Sequence, residues 1–163
     1  MQTTRWSVGA GILGLCLMFA CASARSVKPE LDLNAMGEPL KDVQAGDSEV
    51  VDETIRLIQQ KEHAAALVNL TRLTANNPHN AALRVLRGYV LLELGNVTGS
   101  LEEARIAEES GSHTGYKCWF LAQVAYVAGD KALCRREIGH VAGSPVYGPK
   151  ASRLSAALER ETN

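Results

Sequence analysis

Four histidines, His63, His79, His113 and His140, and two cysteines, Cys118 and Cys134, hold the most versatile chemistry in the body of the chain. A metal centre would need three or four of them, or a carboxylate, brought to one point. No histidine has another at i+3 or i+4, and none is expected to join a cysteine or carboxylate at ligand spacing, so all four are read as surface residues. The acid pairs Glu102-Glu103 and Glu108-Glu109 lie close to Arg105 and read as a solvated helix face, not an acid/base dyad. The chain contains no G-x-S-x-G, Walker loop or H-E-x-x-H, and its one G-x-G-x-x-G match, Gly9 to Gly14, belongs to the apolar N-terminal run and not to a strand–turn–helix. The expectation is a non-enzymatic protein with no cofactor and no metal.

The elements that would position these residues follow from composition and punctuation. Asp and Glu number 18 against 17 Lys and Arg, so no basic surface points to nucleic acid. Ala, Leu, Glu and Arg are common, which favours helix. Residues 1–24 include the uncharged run SVGAGILGLCLMFACASA, shorter in its apolar core than a membrane span and flanked by small residues. They are read as a signal peptide. Two processing sites fit. Ala22-Ser23-Ala24 would be cut to leave Arg25, while Met18-Phe19-Ala20-Cys21 resembles a bacterial lipoprotein box, with Cys21 as the lipidated residue. The second is favoured, which places the protein in the periplasm, anchored by acyl chains. Residues 25–46 contain two Pro and two Gly among scattered charge and read as a flexible linker.

Beyond residue 46 the chain repeats. Gly95 and Gly129 are 34 residues apart, each followed by a polar residue, with Lys61 one period earlier. Small residues recur as the pairs Thr54 and Ala66, Gly88 and Ser100, Ala122 and Cys134, each 12 apart. Small side chains at a helix crossing let two backbones approach. In Asn76-Asn77-Pro78-His79-Asn80, the proline cannot continue a helix, so the stretch is an inter-unit turn. The units are 47–80, 81–114 and 115–148, and residues 149–163 form an amphipathic capping helix. Cys134 is expected opposite Ala122, about 6 Å along the axis from Cys118, which favours two buried thiols over a bridge. Asn69-Leu70-Thr71 and Asn96-Val97-Thr98 match the glycosylation sequon, without meaning in a bacterial envelope.

The period, the small-residue pairs, Leu94-Gly95-Asn96, Ala107 and Pro78 resemble the tetratricopeptide repeat over three units. The resemblance implies an all-α, right-handed α-solenoid of three helical hairpins plus a C-terminal cap. It also implies a concave face lined by the first helix of each unit. That face takes Val51, Ile55 and Ile58, then Val85, Tyr89 and Leu92, then Tyr116, Trp119, Gln123 and Tyr126. Tyr89, Leu92, Tyr116, Trp119, Gln123 and Tyr126 are the expected partner contacts, since aromatics bring large contact area with few rotamers to freeze. Arg84 and Arg87 flank the groove without forming a cationic clamp. The function expected is an envelope adaptor holding an apolar protein segment. The alternatives are a small apolar ligand near Trp119, or an accessory subunit of an envelope enzyme or transport complex.

Overall fold

The computed structural model describes residues 29–44, 46–111 and 114–161. The expected signal segment, both processing sites, Cys21 and His113 lie outside them. Among the described residues the fold is all-helical. Eight helices follow in order: α1 (Leu33–Lys41), α2 (Ser48–Gln59), α3 (His63–Asn76), α4 (Ala81–Glu93), α5 (Val97–Glu109), α6 (Gly115–Ala128), α7 (Lys131–Val141) and α8 (Gly148–Arg160). None is long and apolar enough to cross a membrane.

Three turns one period apart close in the same way. Lys61, Gly95 and Gly129 have φ of 64°, 81° and 82°, the left-handed region. The amide of the following residue reaches back five positions in each case: Glu62 to Leu57 O, Asn96 to Leu91 O, and Asp130 to Ala125 O, at 2.8–2.9 Å. The left-handed residue itself bonds three positions back, to Ile58, Leu92 and Tyr126 respectively. This double bond ends a helix and reverses the chain. The next helix then starts at once. Asn96 accepts from Gly99 N and Asp130 from Leu133 N, so each caps its helix with a side-chain oxygen. The Asn96 sequon is therefore a capping residue. Lys61 is the one non-glycine with positive φ among the described residues, and Glu62 makes no side-chain cap.

Each helix from α2 to α8 packs against the next, and α4 also meets α6, as α6 meets α8. The pairs α2–α3, α4–α5 and α6–α7 fall within 47–80, 81–114 and 115–148. All six small positions are buried. At Gly88 the tightest contacts reach beyond its own hairpin partner position. A Cβ placed on Gly88 would lie 2.9 Å from Phe120 Cε1 and 3.3 Å from Glu103 Cβ. The glycine is required by the ring of the next unit and by a residue three beyond Ser100. Every residue of α6 from Tyr116 to Tyr126 is buried. A helix with no polar face belongs inside a stack, covered on all sides.

Residues 29–44 correct the expectation of a flexible linker. Asp32 Oδ1 accepts from Ala35 N at 3.0 Å and starts α1. Met36 and Leu40, one turn apart, are 0% and 7% exposed, and α1 lies against α4. Burying Met36 alone is worth about 1.5–3 kcal/mol. The proline and glycine that suggested a tether are accommodated in a nine-residue helix whose apolar stripe has found a surface.

Candidate functional site

The face expected to receive a partner is already covered by this chain. Gln123, at 1% exposure, accepts from Glu30 N at 2.6 Å and donates from Nε2 to Glu30 O at 3.2 Å. One side-chain amide thus pairs with both backbone polar groups of one residue. Tyr147 donates its hydroxyl to Asp32 Oδ2 at 2.7 Å, and Lys150 Nζ meets Glu30 Oε2 at 2.7 Å. At the other end of the segment, Asn80 Nδ2 donates to Pro39 O at 2.7 Å while its Oδ1 caps α4 at Leu83 N. Asn77 Oδ1 accepts from Gln44 N, and Asn76 O accepts from Gln44 Nε2. The inter-unit turn Asn76–Asn80 is therefore also a clamp on the N-terminal segment. A hollow of about 470 Å³ lies beside it, bounded by Pro39, Asn76, Asn77, Tyr116 and Lys117 among others.

The six expected contact residues separate into two groups. Tyr89 and Leu92 are half-buried against the core. The Tyr89 ring meets His63 edge-on at 6.4 Å, so His63 is a packed residue and not a surface one. Desolvation, then Glu93, raises the Tyr89 hydroxyl above its ordinary value. Tyr116, Trp119, Gln123 and Tyr126 are buried. Trp119 stacks on Tyr147 at 6.3 Å, with its Nε1 buried and without a hydrogen-bond partner among the described residues. Tyr126 donates to Glu161 Oε1 at 2.6 Å. Residues from α8 and the N-terminal segment complete this face, which repeat periodicity alone could not place.

Charge is also arranged differently from the solvated face expected at Glu102-Glu103. Glu103 is 5% exposed and is paired with both Arg84, at 3.2 Å, and Arg87. The two arginines flanking the groove are neutralised by α5 and are not available to an acidic ligand. One period on, Arg84, Arg87 and Glu103 correspond to Cys118, Leu121 and Glu137. Glu137 is fully buried, yet α6 offers it no cation from these positions. Its Oε1 accepts from Arg136 Nε at 2.7 Å, and its Oε2 lies 3.3 Å from His140 Nδ1. Cys118 Sγ, a Glu137 carboxylate oxygen and a His140 ring nitrogen all lie within 4.8 Å of one another. This corrects the expectation that no histidine shares ligand spacing with a carboxylate or cysteine. Glu137 and His140 are i and i+3 on one helix face, and the 34-residue register brings Cys118 opposite. Burial pushes the Cys118 thiol up to about 11, with Glu137 and Glu108 adding to the effect. Desolvation likewise pushes Cys134 to about 11, and both thiols are free and buried.

The chain matches no family model, no curated protein and no solved structure.

Proposed function

We propose that this protein is a non-enzymatic adaptor of the cell envelope, a short α-solenoid of tetratricopeptide type that holds a segment of a partner protein. The bound segment lies along α4, α6 and α8, where residues 29–44 of the same chain now lie. The observation that carries this reading is the Gln123 amide, which engages Glu30 through backbone groups alone. Such contacts accept any extended chain, and an apolar anchor at the Met36 position would add affinity. The N-terminal segment is then a resident occupant that a partner displaces. Export and a lipid anchor at Cys21 would put this exchange at a membrane surface. A small apolar ligand near Trp119 has less support, because the Trp119 ring is covered by Tyr147.

The test is photo-crosslinking in cells from a probe placed at Lys150, beside the resident segment, in the full chain and in Met36→Asp. The charged residue cannot stay in the apolar site, so α1 should leave. The expected result is a discrete protein adduct that becomes several-fold stronger in Met36→Asp. An adduct unchanged by α1 release, or none in either form, refutes the adaptor reading.

A further inference from the structure

We propose that Cys118, Glu137 and His140 form a binding site for one divalent transition-metal ion, of the zinc class, that pins α6 to α7. Two successive repeats treat one buried carboxylate differently. In the second unit a buried glutamate on the later helix, Glu103, is neutralised by Arg84 and Arg87 on the earlier one. In the third unit the buried glutamate is retained as Glu137, while the two guanidinium positions have become a thiol and a leucine. A carboxylate with no exposure needs a compensating positive charge. Arg136 supplies part of it from a side chain that is 58% exposed. The exchange of arginine for cysteine removes a fixed cation and installs a soft metal ligand in its place.

The donor set suits the ion. Thiolate, carboxylate and imidazole are the three ligand types that zinc accepts, at about 2.0–2.3 Å from the metal. Tetrahedral ligand atoms then lie about 3–4 Å apart, and the three here are within 4.8 Å, with the His140–Glu137 separation already 3.3 Å. Binding then draws the thiol toward the other two atoms by about 1–2 Å at most. Arg136 holds Glu137 Oε1 and leaves Oε2 turned to His140, the outer-shell support that orients a ligating carboxylate. The His140 side chain, 42% exposed, provides the solvent path and leaves a fourth position for water. On binding, the Cys118 thiol releases its proton to water and one S–metal bond forms. Thiolate, carboxylate and a divalent ion then sum to zero charge, which suits a buried position. No redox change is involved.

The experiment is titration of the purified, reduced, chelator-treated full chain with Zn²⁺ by calorimetry and with Co²⁺ by absorption spectroscopy. One equivalent should bind. Co²⁺ should give tetrahedral d–d bands and a near-ultraviolet thiolate-to-metal band. His140→Ala, at an exposed position that leaves the fold intact by circular dichroism, should lower affinity tenfold or more. Cys118→Ser should remove the near-ultraviolet band. His79→Ala, on an exposed turn, should change nothing. Absence of saturable binding, or binding of one equivalent that survives His140→Ala, or a cobalt spectrum without a thiolate band, would overturn the proposal.

Discussion

The Tyr147 hydroxyl and Asp32 Oδ2 meet at 2.7 Å across 115 positions of sequence, and this bond fastens the first described residues to the start of α8. The same carboxylate caps α1. The Tyr147 hydroxyl is the main influence holding the Asp32 carboxyl below its ordinary value, with the Ala35 amide and Lys150 assisting against desolvation. A depressed folded pKa gives stability that is full above the unfolded value, about 4 for Asp. It is lost as pH falls through the lower folded value. Amide exchange over residues 33–41 should therefore accelerate relative to α4 in acid below about pH 4. Tyr147→Phe, which keeps the ring against Trp119, should loosen α1 by about 1–2 kcal/mol at neutral pH and flatten that acid dependence. Unchanged exchange in Tyr147→Phe would show the bond to be idle.

Lys61 occupies the left-handed position that glycine fills at 95 and 129. A Cβ in that region costs about 1 kcal/mol, partly returned by the lower backbone entropy of a non-glycine unfolded chain. Lys61→Gly should be neutral or stabilising by up to about 1 kcal/mol, while Gly95→Ala and Gly129→Ala should destabilise by about 1 kcal/mol each. Urea denaturation of the three variants provides the comparison. A destabilised Lys61→Gly would mean that the lysine side chain has a role beyond the turn.

Gly88 and Gly139 are both helical and should respond with opposite sign. A methyl at Gly88 collides with Phe120, a fully buried ring, and overpacking of this kind costs about 1–3 kcal/mol against about 1 kcal/mol of regained helix propensity. A methyl at Gly139 has open space around it. Gly88→Ala should lower the melting temperature, and Gly139→Ala should raise stability by about 0.5–1 kcal/mol. Equal effects would mean that Phe120 yields freely.

Glu103 joins α5 to α4 through two guanidinium groups that are themselves partly exposed. Glu103→Gln should cost about 1–3 kcal/mol, since the arginines can regain some water. A double-mutant cycle with Arg84→Met should return a coupling of about 1 kcal/mol or more. A cycle that closes to zero would assign the cost to packing alone.

The sequence made the helices legible because their boundaries are local. Gly95, Gly129 and Pro78 act within one turn, and the 34-residue period predicts where each helix reverses. Residue 61 was located by the same period although its side chain is wrong for the turn. The site was less legible because it is assembled from residues far apart in sequence. Nothing local in Glu30 or Asp32 announces that Gln123 and Tyr147 will hold them. Met36 and Leu40 stand at helical spacing after an aspartate that can cap, but two prolines and two glycines nearby give the same stretch the composition of a tether. Glu137 and His140 at i and i+3 were equally visible. Their importance emerges only when the repeat register sets Cys118 where the preceding unit has Arg84. Tyr116, Trp119 and Tyr126 were expected to face a partner because three repeats give no information about what α8 and the N-terminal segment will cover.

The burial of α6 on every side has a consequence for the chain as it emerges from the ribosome. Tyr116 to Tyr126 is complete well before Gly148–Arg160 exists to shield it, and until then no side of that helix can face water. A product truncated before Tyr147 loses the cover over Trp119 and Tyr126, the kind of surface that holdase chaperones and quality-control proteases engage. Only with the last helix in place is α6 covered on that side.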